Sequence, residues 1–411
     1  MKILHTSDWH IGRALYGRKR YDEFAAFFNW LLITLKKEQI DVLLVAGDIF
    51  DTTTPTHRAQ QLYYQFLCHV AHSPCHHVVI IAGNHDSPSF LNAPKELLTI
   101  LNVHVVSHAY NDDEQVIVLS NRDGLPELIV CATPYLRDSD IRISNPGESL
   151  ADKEHHLVAG ITTHYARIIN YAKEKKAQLQ ADIPIVVMGH LFTTDGQIID
   201  GDGVRNLYVG SLAPITARMF LDEIDYVALG HLHIPQKVMN LEWIRYSGSP
   251  IAMGFGEATH IKSVCIVNLT QSSTTKRTIQ LVAVPVFQTL IRIKGSTTTI
   301  IDKINHLKKT HPHAWLEIIY EGTDSITQLR ESLEGILLDS QLDILRINNP
   351  RLTAQTLTKL HPDDMLADLS HQDVFERCLI AHNIAKEQRH SLQQLYKEVL
   401  VNLYQQDSCA E

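Results

Sequence analysis

Cysteine is scarce in this sequence, at six residues in 411, and no two fall in a CxxC pair. Cys68, Cys75, Cys131, Cys265, Cys378 and Cys409 are scattered, which excludes a disulfide framework and a zinc ribbon as organising features. A reducing cytoplasmic setting follows as the expectation. Long apolar runs are missing too: none approaches the roughly 20 residues that span a bilayer. Met1-Lys2-Ile3-Leu4 leads straight into a first strand, so neither membrane anchoring nor export is expected. Nor is there a basic excess. Lys and Arg number 37 against 46 Asp and Glu, a formal charge of −9. Such a chain does not hold nucleic acid by overall electrostatics. An anionic substrate would need a local grip, from metal ions or from a basic partner. Internal repeats and low-complexity segments are also absent.

Histidine is plentiful, at 24 residues, and its placement is ordered. Apolar runs at 2–4, 41–47 and 78–83 alternate with amphipathic stretches, YDEFAAFFNWLLITLKK and HRAQQLYYQFLCHVAH. Continuous Val/Ile/Leu strands separated by helices indicate βαβ units in a sheet covered on both faces. VHVV, EQVIVLS and LIVCATP read as antiparallel meanders. A long helix is expected near 151–178, then strands at 183–190, 225–233, 244–250 and 263–269. The ligand-like pattern ends near 280. A compact β-α-β-α-β unit follows, and after Pro350 a polar helical tail carries an apolar stripe at Leu392, Leu395, Tyr396, Val399, Leu400 and Leu403.

Five strand ends finish on metal-ligand chemistry: Asp8-Trp9-His10, Gly47-Asp48, Gly83-Asn84-His85-Asp86, Gly189-His190 and Gly230-His231-Leu232-His233. Loops leaving the carboxyl ends of neighbouring strands converge in one crevice. In an extended segment i and i+2 point the same way, so Asp8 with His10, and His231 with His233, read as chelating pairs. The preceding glycines clear space where the chain turns and a ligand approaches. Carboxylate, imidazole and amide without thiolate favour Mn²⁺, Fe²⁺ or Mg²⁺ chemistry. Asp8, His10, Asp48, Asn84, His190, His231 and His233 are too many for one open ion. They suit a pair about 3.5–4 Å apart bridged by one carboxylate. Trp9 reads as packing, and the cluster CHVAHSPCHH as helix-end and surface residues. Arg13, Arg18, Lys19 and Arg20 read equally as DNA-phosphate contacts or as a solvated basic loop.

DWH, GDIFD, GNHD, a lone GH and GHLH, in that order, resemble the calcineurin-like metallophosphoesterase signature. ILHTSDWHIGR, AGNHDS and YSGSP resemble, more narrowly, the SbcD-type nuclease subunits. That resemblance implies an α/β fold, a two-sheet β-sandwich flanked by helices (1–280), a small α+β capping or DNA-selection domain (281–350) and a helical tail (351–411). It assigns Asp8, His10, Asp48 and His233 to one ion and Asp48, Asn84, His190 and His231 to the other, and it places His85 beside the scissile phosphate, to stabilise charge or protonate the leaving oxygen. Asp51 stands where archaeal relatives carry a second histidine, which puts a two-histidine relay in doubt and leaves Asp51 either to orient a ligand histidine or to accept backbone hydrogen bonds. The implied activity is Mn²⁺-dependent DNA cleavage, exonucleolytic on duplex ends and endonucleolytic on single strands and hairpins. The implied partner is an SbcC-type coiled-coil ATPase that docks on the tail, in a heterotetramer built on a homodimer. Rival readings are a phosphodiesterase or phosphatase for small molecules or phosphoproteins, and an inert scaffold, although a scaffold should have lost ligands.

Overall fold

The computed structural model describes residues 1–141, 149–193, 215–221, 224–269, 277–322, 326–338, 340–350, 375–376, 379–380, 384, 388–389 and 391–396. It divides into two compact units, Met1–Phe287 and Gln288–Glu411.

In the first unit the chain order is β1 (Lys2–Thr6), a short hairpin of β2 (Ala14–Leu15) and β3 (Arg18–Lys19), α1 (Tyr21–Lys37), β4 (Val42–Ala46), α2 (His57–Ala71) and β5 (His77–Ile81). Next come α3 (Pro88–Asn92), α4 (Lys95–Ile100), β6 (Val103–Val106), α5 (Asp112–Gln115), β7 (Val116–Ser120), β8 (Pro126–Ala132) and α6 (Asp138–Ile141). The 30-residue α7 (Leu150–Leu179) leads to β9 (Ile185–His190) and β10 (Tyr226–Gly230), and β11 (Gln236–Val238), β12 (Leu241–Tyr246), β13 (Ser263–Leu269) and β14 (Arg277–Ala283) close the unit.

Two six-stranded sheets form, ordered β14-β13-β1-β4-β5-β6 and β11-β12-β10-β9-β8-β7. Strand alternation builds three apolar layers. Ile3, Val42, Leu44 and Ala46 point between the sheets to meet Val130, Val186, Met188 and Ala228. Leu4, Leu43 and Val45 point outward onto Phe24, Phe27, Phe28 and Leu31 of α1 and Phe66 of α2. On the second sheet Val187, Val227 and Leu229 face Ile161, Tyr165 and Ile168 of α7. Each such aliphatic or aromatic side chain stabilises the fold by roughly 1.5–3 kcal/mol when fully buried. Trp9 is fully buried, edge-on to Phe27, Phe28 and Phe66, with Nε1 donating to Thr6 Oγ1 at 3.0 Å; it is a packing residue. One expectation fails: Val103–Val106 does not join a meander. It pairs parallel with β5, because α3 and α4 return the chain to the same edge of the first sheet. β7 and β8 do pair antiparallel.

The second unit contains β15 (Leu290–Gly295), α8 (Thr297–Thr310), β16 (Trp315–Tyr320), α9 (Ile326–Leu337) and β17 (Asp343–Asn348), with all three strands parallel. Ile293, Ile300, Ile304, Leu316, Ile318 and Leu333 form its core. Of the apolar stripe in the tail, Leu392, Leu395 and Tyr396 lie on a described helical turn and Val399, Leu400 and Leu403 fall outside the described residues. No described helix is long and apolar enough to cross a membrane.

Candidate metal centre

Asp8, His10, Asp48, Asn84, His190, His231 and His233 meet where β1, β4 and β5 of one sheet and β9 and β10 of the other end. The backbone leaves these strands abruptly. Asp8 (φ 53°), His10 (φ 48°), Asp48 (φ 51°) and His231 (φ 103°) occupy left-handed conformations that non-glycine residues seldom adopt. The turns are fixed by continued pairing of the two loops, Asp8 N–H donating to Gly47 O at 3.0 Å and His10 N–H to Asp48 O at 3.0 Å. Gly83 has no alternative: a Cβ there would overlap the carboxylate and amide of Asp48. Gly47, at φ +86°, would strike the His190 ring with one.

Donor atoms of Asp8, His10 and His233 lie within 4.8 Å of one another, as do those of Asp8, Asp48 and His190. Strand alternation is not the cause, since Asp8 and His10 have left the extended conformation. For the second pair the expectation of a shared face fails. His231 turns its Nδ1 to Asn84 Oδ1 (3.1 Å), beside His190 Nε2 (2.9 Å from the same oxygen), whereas His233 turns its Nε2 to His10 Nε2 at 3.1 Å. β10 ends at Gly230, and the positive φ of His231 breaks the alternation. Asp48 stands between the groups, its Oδ2 3.5 Å from His10 Nε2 and 3.3 Å from His190 Nε2.

Apart from Asn84, the seven are at most 5% exposed. Burial alone would raise the Asp48 carboxyl, but the neighbouring His190, with His10 and His85, holds it well below the usual carboxylate range. Burial likewise would lower His190, and Asp48 instead brings it up to about 9. Burial wins at Asp8, which it raises, and at His231, which it lowers to about 3 with help from His190, whereas at His233 burial is outweighed by Glu257, which brings it up. The residues fit divalent cations. His233 Nδ1 is engaged by Glu257 Oε1 at 3.3 Å and His10 Nδ1 lies 3.4 Å from Asp51 Oδ1. The two Nε2 atoms meet at 3.1 Å, and with both Nδ1 atoms protonated a divalent cation would take one lone pair from each. An all N/O donor set without thiolate matches hard or borderline divalent ions.

His85 sits beside these groups, its backbone N–H donating to Asp48 Oδ1 at 2.9 Å and its Nδ1 bonded to Asp51 O at 2.9 Å. Its ring is perpendicular to that of His10, centroids 4.8 Å apart. The Asp51 carboxylate takes Arg13 Nη1 at 3.0 Å; burial opposes its ionisation, but His10 and Arg13 bring it down to about 2.

The calcineurin-like phosphoesterase model matches residues 1–235, and the type 5 capsule protein repressor C-terminal domain matches residues 286–383. Over 405 residues, 98% of each chain, the sequence is 33% identical to the SbcD component of nuclease SbcCD from Escherichia coli strain K12. The chain belongs to the SbcD nuclease family. The corresponding SbcD component of Bacillus subtilis strain 168 is 35% identical over 65% of this chain and 66% of its own. That of Rhodobacter capsulatus is 34% identical over 66% of each. This SbcD-family chain is a metal-dependent phosphodiesterase of the nuclease class, on a calcineurin-like two-sheet fold that binds divalent metal.

Other assignments in this SbcD-family chain divide. Arg18 and Lys19 are exposed on the hairpin. Arg20 is not available to a phosphate: it is 2% exposed, with its guanidinium on both carboxylate oxygens of Glu23 (2.7 and 2.9 Å) and on Ala252 O. Glu23, in the first turn of α1, draws the head inward, a contact that a run of basic letters does not reveal. Around CHVAHSPCHH, His72 Nδ1 bonds Cys68 O and Cys75 is buried, and no metal-holding group forms there among the described residues. Three supports escaped the sequence reading. Asp86 accepts Ile49 N–H (3.1 Å) and Gly83 N–H (2.8 Å) on Oδ2 and Phe50 N–H (2.9 Å) on Oδ1, stapling the loop of Asp48 to that of Asn84. Burial and Asp48 push its carboxyl up to about 6. Ser7 Oγ donates to Asp8 Oδ2 at 2.5 Å and meets Ser247 Oγ at 2.9 Å. Glu257 and Lys262 hold His233. Asp86 and Ser247 stand inside GNHD and YSGSP and so were within reach; Glu257 has no sequence signal.

Proposed function

We propose that this chain cleaves DNA, exonucleolytically at duplex ends and endonucleolytically at single strands and hairpins, with two Mn²⁺ ions bound. Asp8, His10, Asp48 and His233 would hold one ion, and Asp48, Asn84, His190 and His231 the other. The observation that carries this reading is Asp48 Oδ2, placed 3.5 Å from His10 and 3.3 Å from His190, one histidine from each donor group. When bound, the ions would supply Lewis acidity, screening phosphate charge and acidifying water. The chain's own residues do the rest. Asp8 and Asp48 set the negative charge that fixes the ions, and the hydrogen bonds from Asp8 N–H to Gly47 O and from His10 N–H to Asp48 O hold their strained left-handed backbone in place. His85 is the catalytic residue beside the scissile phosphate. With Nδ1–H donating to Asp51 O, Nε2 is left to the substrate, and the ring in its doubly protonated form would pass the Nε2 proton to the departing sugar oxygen and keep the one on Nδ1, a role worth roughly 10²–10⁴-fold. Asp51 orients His10 and is itself held by Arg13. Arg18 and Lys19 would meet DNA phosphates at the mouth.

Residues 1–280 form the nuclease domain on this reading, 281–350 a capping domain that selects DNA, and 351–411 a tail that docks on an SbcC-type coiled-coil ATPase. The assembly would be a heterotetramer around a homodimer, in the cytoplasm at the nucleoid. The ATPase would supply the electrostatic hold on DNA that a chain of net charge −9 lacks.

The test incubates the protein with Mn²⁺ and a hairpin DNA, beside a chromogenic small phosphodiester. Cleavage of the hairpin is expected, with loss of about 10²-fold or more in His85→Ala at unchanged metal content. Cleavage of the small diester alone would favour a small-molecule phosphodiesterase. Full DNA cleavage by metal-replete His85→Ala would remove His85 from the chemistry.

A further inference from the structure

The segment from Ser249 to Lys262 carries a buried ion pair that neither the metal set nor the leaving-group chemistry uses. Glu257 is 0% exposed and Lys262 6%. One carboxylate oxygen of Glu257, Oε1, engages His233 Nδ1 at 3.3 Å. The other, Oε2, accepts Met253 N–H at 3.1 Å and the Lys262 ammonium. Lys262 Nζ also donates to His233 O and to Ser249 Oγ, both at 2.8 Å, so all three ammonium protons have partners. Ser249 N–H donates to the same His233 carbonyl at 3.0 Å. His233 is therefore held at both ends of one closed ring: side chain to Glu257, Glu257 to Lys262, Lys262 back to the His233 backbone.

Such a ring is expensive, since desolvating each ion costs several kcal/mol and an apolar pair of similar volume is often as stable. A loop staple alone would not require one oxygen of the carboxylate to be spent on an imidazole. Spending it there fixes the proton on Nδ1, and Nε2 is the atom that meets His10 Nε2 at 3.1 Å. A carboxylate behind a metal-ligating imidazole sets its tautomer and orientation and raises its basicity.

We infer that Glu257, locked by Lys262 and Ser249, is a positioning residue that fixes the Nδ1–H tautomer of His233 and so presents Nε2 to one cation of the pair. This rests on the assignment of His233 as a ligand under Proposed function. The consequence is selective: without Glu257, the position shared by Asp8, His10 and His233 loses affinity, while that of Asn84, His190 and His231 does not.

The test is Mn²⁺ titration of the metal-free full chain, read by calorimetry and by electron paramagnetic resonance. Wild type should take up two ions with a spin-coupled signal. Glu257→Gln, and Glu257→Gln/Lys262→Met, which removes the stranded ammonium, should weaken one ion by roughly 10–100-fold and leave an uncoupled mononuclear signal. His233→Ala must empty the same position. If it does and the Glu257 variants still bind two coupled ions, Glu257 is a structural staple and the inference is overturned. If His233→Ala itself binds two coupled ions, the ligand assignment fails and takes the inference with it. Should the Glu257 variants not fold, histidine-selective ¹⁵N spectra of wild type at alkaline pH decide the matter. They should show His233 protonated on Nδ1, and the Nε2–H tautomer would refute the inference.

Discussion

Asp86→Asn is the perturbation that most sharply separates the metal donors from the frame that aims them. The Asp86 carboxylate accepts three backbone N–H groups, two on one oxygen and one on the other, from the loops after β4 and β5. An amide has one acceptor oxygen. It can keep the pair from Ile49 and Gly83 or the bond from Phe50, and its NH₂ then confronts the N–H it cannot accept. Hydrogen bonds to a charged group contribute roughly 1.5–3 kcal/mol, and an orphaned buried donor costs about 1–3 kcal/mol. The net destabilisation should be about 2–4 kcal/mol. For a unit of 287 residues, unfolding entropy near 2.1 cal/mol/K per residue gives about 0.6 kcal/mol/K, so the midpoint should fall by about 3–7 °C. Because the staple sets the distance between Asp48 and Asn84, Mn²⁺-dependent cleavage should also fall, by about tenfold or more, at temperatures where the variant is fully folded. Calorimetry paired with a hairpin-cleavage assay reads both effects. A midpoint within about 1 °C of wild type together with undiminished cleavage would refute the stapling role.

His5 lies between the sheets, fully buried, with Nδ1 at 2.9 Å from Tyr226 Oη; burial lowers it to about 3. The unfolded chain binds this proton below about pH 6.5 and the folded chain does not, so stability is lost as the pH falls from 6.5 toward 3. Relative to His5→Gln, wild type should lose about 2 kcal/mol between pH 7.5 and 5.0, seen as convergence of their urea midpoints; parallel midpoints would mean the imidazole is not held neutral. Arg18→Ala/Lys19→Ala should weaken DNA binding and flatten its salt dependence by about one to two units of slope, with cleavage of a small phosphodiester unchanged. An unaltered salt slope would return the hairpin to an ordinary solvated surface.

Much of the fold was legible because burial on both faces leaves a plain mark: DVLLVAG and VVIIAG could hardly be anything but interior strands, and Phe24, Phe27, Phe28 and Leu31 announce one face of α1. The ligands were legible for a different reason, their repetition at strand ends. Illegible was whatever depends on backbone hand or on distant pairing. The positive φ of Asp8, His10 and His231 broke the alternation that seemed to explain their spacing, and so parted His231 from His233. VHVV, alternating like an antiparallel edge, joined the first sheet because two short helices brought it back. Arg20 looked like a phosphate contact until Glu23, one turn on, claimed it. Glu257 sits 24 residues from the histidine it holds, and no local pattern marks that contact.

Anomalous diffraction from crystals grown in Mn²⁺ tests the two-ion site directly. Two peaks are expected about 3.5–4 Å apart, one bounded by Asp8, His10 and His233 and the other by Asn84, His190 and His231, with Asp48 touching both. A single peak, or a pair without Asp48 between them, would contradict it.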